Sequence, residues 1–267
     1  MIAKGKVVVI TGASSGIGLA IAEHLTAKGH HVFGLSRTTP ANPKYSHIAC
    51  DVTKAEQLDV AVAEITKVTG KVDVLINCAG IGIGGAIEET AEAAFDKIFA
   101  VNVKGVFLTT KVFLPLLRDG NQPKIINIGS VAGTLTIPFQ AFYSMTKAAV
   151  ASFSEALRME VKPLGIGVCT ILPGDTKTAF TANREKNETA PASPYGKRIE
   201  RSLKRMEIDE QQGASPLSVA KVITRLLGKK KLPVQVTVGS VYKLFIFLHR
   251  LLPKRLVNWI LYQMYGK

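Results

Sequence analysis

The chain has 267 residues, is 47% hydrophobic and 20% charged, and carries a formal net charge of +14. Its length suits one large α/β domain or two small ones, and this balance of apolar and charged residues excludes a disordered chain. Residues 1–5 are too few and too polar for a signal peptide, no run of eighteen apolar residues makes an ordinary membrane span, and Cys50, Cys78 and Cys169 form neither a C-x-x-C pair nor a disulfide framework.

The elements follow in alternation. Val7–Ile10 is a short apolar run that predicts a first strand; glycines follow it, then a helical stretch to about Lys28 that Gly29 stops. His31–Leu35 predicts a second strand and Tyr45–Cys50 a third. Residues 54–69 predict a helix ended by Gly70, and Val72–Ile76 a fourth strand. Helices over about 88–100 and 102–118 lead to a fifth strand at Lys124–Ile128. A long helix over 142–163 precedes a sixth strand at Ile166–Leu172. Residues 176–212 are polar and charged and predict a mobile lid; Pro216–Leu227 predicts a helix and Val234–Val238 a seventh strand.

Strands alternating with helices imply right-handed crossovers and a parallel sheet, and strands without polar alternation imply burial on both faces. The expected fold class is therefore α/β: a Rossmann-type, doubly wound parallel sheet of about seven strands forming one domain over residues 1–240. In such a sheet a ligand sits at the carboxyl ends of the strands, where the strand order reverses. The histidines (His24, His30, His31, His47 and His249) have no metal-ligand spacing, so no metal site is expected.

Tyr143 and Lys147 are four residues apart and share a helix face, which sets an ammonium beside a phenol. A free tyrosine titrates near 10, and a nearby cation is expected to lower that value towards the working range. Ser130, brought close, offers a hydrogen bond to the same substrate oxygen. The set predicts acid–base chemistry at a carbonyl or alcohol. Directly after the first strand, Thr11-Gly12-Ala-Ser14-Ser15-Gly16-Ile17-Gly18 has the glycines that let a backbone approach a pyrophosphate. The helix that follows points its N-terminal N–H groups at such an anion.

With Asp51-Val52, Asn77-Cys78-Ala79-Gly80, Asn102 and Pro173-Gly174, these residues fall in order over 6–178, and the chain resembles the short-chain dehydrogenase/reductase family. The resemblance implies Tyr143 as general acid in reduction, Lys147 lowering its pKa and binding the nicotinamide ribose, Ser130 holding the substrate oxygen, and Asn102 supporting Lys147 through water. It implies cofactor contacts from Gly12, Ser14, Ser15, Gly16, Ile17, Gly18, Val52, Asn77, Ala79, Gly80, Pro173, Gly174 and Thr178. Asp51 would contact adenine or cap the helix from Lys54; Thr176 would join the nicotinamide loop or be an ordinary loop residue. Cys78 stands where the family usually has a second Asn. A homodimer or homotetramer, paired through the 102–118 and 142–163 helices, is also implied.

An NAD site usually ends its second strand in Asp or Glu on the ribose 2′-hydroxyl. Here the strand ends Leu35-Ser36-Arg37: no carboxylate repels a 2′-phosphate, Arg37 offers it a fork of donors, and Ser36 adds a hydroxyl. NADP(H) is the expected cofactor. Residues 241–267 form a C-terminal extension of two amphipathic pieces divided by Pro253, with Trp259, Tyr262 and Tyr265 near Lys and Arg. The last acidic residue is Glu210, and ten Lys or Arg follow it. Such a tail either rests on an anionic membrane surface or packs on the body or a partner copy. It resembles that of the 17β-hydroxysteroid/retinol dehydrogenase-like branch. The expected activity is interconversion of a ketone and a secondary alcohol on a lipophilic substrate such as a steroid, retinoid or sphingoid, in the cytoplasm or peripherally on a membrane. The alternatives are a β-ketoacyl-carrier-protein reductase and a non-catalytic NADP-binding sensor; nucleic acid is not expected as a partner.

Overall fold

The computed structural model describes residues 5–187 and 192–267, so part of the expected 176–212 lid, residues 188–191, lies outside the described residues. In chain order the elements are β1 (Val7–Thr11), α1 (Gly16–Ala27), β2 (His31–Ser36), β3 (Ser46–Ala49), α2 (Ala55–Val68), β4 (Val74–Asn77) and β5 (Ile83–Gly84). Next come α3 (Glu92–Phe99), α4 (Gly105–Arg118), β6 (Lys124–Ile128), α5 (Ala141–Glu160), β7 (Gly167–Pro173) and β8 (Glu185–Lys186). The chain ends with α6 (Gly196–Gln211), α7 (Pro216–Leu227), β9 (Gln235–Val238), α8 (Ser240–Leu251) and α9 (Lys254–Leu261).

Seven strands form one parallel sheet in the order β3-β2-β1-β4-β6-β7-β9, as the alternation predicts. Successive residues of a strand face opposite sides, and both sides are apolar. Val8 and Ile10 pack with Ile21 and Leu25 of α1 and Ile223 of α7. Val7 and Val9 pack with Leu58 of α2, Phe113 and Leu117 of α4 and Leu157 of α5. Two buried layers explain why the strands read as unbroken apolar runs. The strand order reverses between β1 and β4, and their carboxyl ends diverge there.

Three elements differ from expectation. The helices expected over 88–100 and 102–118 are one continuous helix, Glu92–Arg118, joined by a π-helical turn at Ala100–Lys104. By length and composition that helix passes for a membrane span, but Ile98, Phe113 and Leu117 are fully buried within the protein. The long helix α5 stops at Glu160, because the turn through Pro163 and Gly165, at φ +71°, cannot continue it. The lid is not simply a polar segment. It contains the helix α6, whose Ile199, Leu203 and Met206 are buried beside Ala86, and the strand β8, paired with β5.

Phe113 is fully buried and lies away from the strand ends. Phe113→Ala is expected to lower unfolding stability by about 3–5 kcal/mol in urea titration. A loss well under about 1 kcal/mol would show that the α4 layer does not carry the core.

Candidate active site

A cavity of about 1080 Å³ opens at the carboxyl ends of the strands, and it spans the glycine turn, Ser130, Tyr143 and Lys147. Its floor is set at the point where β1 and β4 part. The Thr11 hydroxyl accepts hydrogen bonds from the Cys78 N–H (3.0 Å) and the Ala79 N–H (3.1 Å), tying the two strand ends together. Gly12 has φ +68°, and a Cβ there would lie 2.8 Å from the Ala79 Cα. A Cβ on Gly18 would overlap the Gly12 carbonyl oxygen. Both positions therefore exclude a side chain, for conformation at one and for space at both. Ser15, at the N-cap of α1, makes no side-chain capping bond. The first N–H groups of that helix are left to face the cavity that Ser14, Ser15, Gly16 and Ile17 line.

Ser130 follows β6, while Tyr143 and Lys147 stand on α5. Lys147 is buried and donates from Nζ to the Ile128 carbonyl at 3.0 Å. Burial holds its pKa down at about 8. The ammonium lies 5.6 Å from the Tyr143 ring centroid. The expected lowering of the tyrosine does not appear. Burial pushes Tyr143 up to about 12, and the hydrogen bond from Ser130 works against that without overcoming it. The ring is hemmed in on the other side by Phe180, with centroids 5.5 Å apart. Removing solvent from the phenolate thus outweighs the Ser130 hydrogen bond and the charge of Arg184.

Asn102 sits inside the π-helical turn, a local widening that often marks functional sites. It accepts from the Ile81 N–H (2.8 Å) and donates to the Ile81 carbonyl (2.9 Å) and Thr146 Oγ1 (3.1 Å). It makes no direct bond to Lys147. Gly80 separates them: a Cβ there would come 3.4 Å from Asn102 Oδ1 and 3.5 Å from Lys147 Nζ.

Asn77 is buried beneath the site and donates to Asn127 Oδ1 (2.8 Å) and Thr110 Oγ1 (3.1 Å). It does not line the cavity, so it braces the sheet. Ala79, Gly80, Asp51, Val52, Pro173, Gly174, Thr176 and Thr178 all line it. Asp51 Oδ1 accepts from Thr53 N–H (2.9 Å) and Thr53 Oγ1 (2.8 Å), a turn that leads into α2. Thr176 Oγ1 donates to the Gly174 carbonyl at 2.9 Å, and Thr178 stands across from Gly16. Arg37 is exposed at the cavity's rim. The Ser36 hydroxyl lies 3.0 Å from the Thr38 carbonyl and 2.9 Å from His47 Nε2. Ser36 thus stands beside Arg37 at the cavity with its hydroxyl engaged within the protein.

The far wall comes from the C-terminal extension and from α6 of the lid. Val241, Phe245, Leu248, Ile260, Leu261 and Met264 of the tail and Met206 of α6 line it. Tyr242 donates to Asp175 in the loop after β7, Tyr265 donates to Asp209 of α6 at 2.9 Å, and Arg198 Nε donates to the Gly266 carbonyl at 2.8 Å. The buried ion pair Arg184–Glu210 and the bond from Thr181 Oγ1 to Glu210 Oε2 (2.6 Å) brace the lid. The apolar spacing of the tail was its one visible signal; the polar ties are invisible in sequence, since their partners lie 56 or more residues apart.

A family model described as short chain dehydrogenase matches residues 6–189. The chain is 39% identical over 259 residues to the 3-ketodihydrosphingosine reductase of Bacteroides thetaiotaomicron, an alignment covering 96% of each chain. Its structure is similar to that of a short-chain dehydrogenase from Streptomyces avermitilis, with TM-score 0.82, 34% identity and coverage of 94% of this chain and 93% of that one. It is also similar to the 3-ketoacyl-(acyl-carrier-protein) reductase of Brucella melitensis complexed with NADH, with TM-score 0.73, 26% identity and coverage of 88% and 98%.

Two measurements check this geometry. Thr11→Val leaves the Cys78 and Ala79 N–H groups without their acceptor, and is expected to lower unfolding stability by about 1–3 kcal/mol. Lys147 has a folded pKa of about 8 against an ordinary 10.5, so between those values the unfolded chain holds more protons at this position. Its contribution to stability therefore rises with pH through that window, and the burial penalty is fully present below it. Tyr143, raised to about 12, works oppositely above its ordinary 10, so pH 8–10 isolates the lysine. The wild type should gain stability relative to Lys147→Met across pH 8–10; parallel curves would refute the burial argument.

Proposed function

The chain belongs to the short-chain dehydrogenase/reductase family of oxidoreductases, and from that premise we propose that it is an NADPH-dependent reductase of a long-chain, sphingoid-type ketone. The observation that carries this reading is one cavity with two chemically opposite walls. Ser130, Tyr143 and Lys147 form the polar one, beside the glycine turn; the tail and α6 form the apolar one.

The residues fit a dinucleotide. The backbone cradle at Gly12 and Gly18 has no room for side chains, and the uncapped start of α1 supplies N–H donors for a pyrophosphate. Arg37 would hold the 2′-phosphate, Asp51 and Val52 the adenine, and Lys147 the nicotinamide ribose. Thr176 and Thr178 would border the carboxamide. NADPH, when bound, supplies the hydride. Tyr143 donates its O–H to the substrate carbonyl oxygen and passes that proton to the alkoxide as it forms. Ser130 donates a second hydrogen bond to the same oxygen and fixes its direction. Lys147, buried and cationic at neutral pH, stabilises the phenolate left on Tyr143. Asn102 keeps the Ile81 backbone in place beside Lys147 and supports refilling of the proton. A phenol held near 12 stays protonated at neutral pH, which favours the reducing direction.

The name of the Bacteroides relative supports a sphingoid ketone, and so does the length of apolar wall available for an alkyl chain. Exposed Phe107 on α4 and Met145 on α5 support pairing of two copies through those helices.

The test is NADPH oxidation with a long-chain 2-amino-3-ketone, beside steroid, retinoid and β-ketoacyl-carrier substrates. Turnover of the sphingoid ketone above the others is expected. Inactivity on every lipophilic ketone would overturn the reading. Tyr143→Phe should retain below about 1% of kcat with cofactor binding intact. Arg37→Ser should weaken NADP binding about tenfold or more, with little change for NAD, as followed by calorimetry.

A further inference from the structure

The helices α8 and α9 are only half used by the cavity. Ile246 and Val257 are buried against Leu135 and Leu172. Leu244, Phe247 and Leu251 of α8, with Leu256 and Trp259 of α9 and Tyr262 just beyond it, stay exposed and do not line the cavity. Residues 244, 247 and 251 follow at i, i+3 and i+7, a single stripe along one helix face. Trp259 is the chain's one tryptophan and is 58% exposed.

A second observation lies beside that stripe. A separate groove of about 420 Å³ runs between α7, β9 and α8. Lys221 and Arg225 line it from α7 at helical spacing, Lys229 lines it from just beyond that helix, and Lys243 lines it from α8. Lys243 and Arg250 flank the apolar stripe, and Lys254 and Arg255 open α9. Among the described residues none of these cations is in an ion pair, and no Asp or Glu follows Glu210.

We propose that α8 and α9 dock on an anionic phospholipid bilayer, with headgroup phosphates in the basic groove between α7, β9 and α8. Apolar and aromatic side chains enter the acyl boundary, and the flanking cations stay at headgroup level. Charge selects this occupant over a second copy of the chain. A two-fold pairing through this face would set the patch against itself, cation against cation, and neither the groove lining nor α8 and α9 hold an acidic residue to answer them. Docking also gives a lipid substrate a dry route. Val241, Phe245, Ile260 and Met264 are exposed, stand on or directly beyond the same helices and line the catalytic cavity, so an alkyl chain passes from bilayer to cavity between α8 and α9. Docking stands whether or not the ketone reading is correct, because its measurement involves no turnover.

The experiment uses the full chain, vesicles of phosphatidylcholine with or without phosphatidylglycerol, and Trp259 emission. Phosphatidylglycerol vesicles should shift Trp259 to the blue, and brominated acyl chains should quench it. Neutral vesicles should bind at least about tenfold more weakly, and so should the combined variant Lys221→Glu, Arg225→Glu, Lys243→Glu, or the wild type at high salt. Leu244→Ser with Phe247→Ser should keep the salt-sensitive attraction but lose the quenching. Unchanged Trp259 emission with phosphatidylglycerol vesicles would overturn the proposal. A lipid-independent blue shift that grows with protein concentration would also overturn it and assign the face to a second copy.

Discussion

The structure depends on a gap and on the hydroxyl that spans it. β1 and β4 are neighbours in the sheet, yet the chain leaves their carboxyl ends in opposite directions. Beyond β1 the Gly12 and Ala13 N–H groups turn to the Leu35 carbonyl of β2, and those beyond β4 need another acceptor. Thr11 answers two of them, at Cys78 and Ala79, with a single oxygen. That contact brings the β4 end so close to Gly12 that only glycine fits, and the same tightness leaves the start of α1 facing the crevice. The cradle for an anion is therefore a consequence of how a parallel sheet changes direction.

Burial does the second piece of work. Sequence spacing sets Lys147 beside Tyr143 and leads one to expect a depressed phenol. In the folded protein, loss of water acts on both groups, and it favours the neutral form of each. The lysine comes down towards 8 and the tyrosine goes up towards 12. The two shifts converge on a site that holds its acid protonated. The ammonium is turned to the Ile128 carbonyl.

The lid and the tail add polar ties to the apolar packing that holds the sheet. Besides the apolar clusters under α6 and under the tail helices, two polar ties join lid and tail, Tyr265 to Asp209 and Arg198 to Gly266; Tyr242 ties the tail to Asp175, and Arg184 with Glu210 braces the lid itself. Through Tyr242 the first tail helix is joined to the loop after β7 that lines the site. One helical pair thus walls the cavity, clamps a loop of the site and presents an apolar stripe to solvent.

Most of the strands and helices, the parallel sheet, the glycine cradle and the Ser130, Tyr143 and Lys147 set were legible in the sequence, because each follows from short-range spacing or from apolar runs with clear stops. Asn102 was legible as a residue but not in its setting: the π-helical turn arises from packing against Ile81 and Thr146, which no local pattern announces. Ser36 reads as a free hydroxyl until Thr38 and His47 take it up. The direction of the Tyr143 shift could not be read either, because desolvation depends on everything that closes around the ring, Phe180 included. Sequence by itself determined which groups are present and which lie on a shared face. Tertiary structure alone decided which of them lose water, which find partners far along the chain, and which side of the tail faces the cavity, since burial is a property of the assembled surfaces and not of any residue's neighbours in the chain.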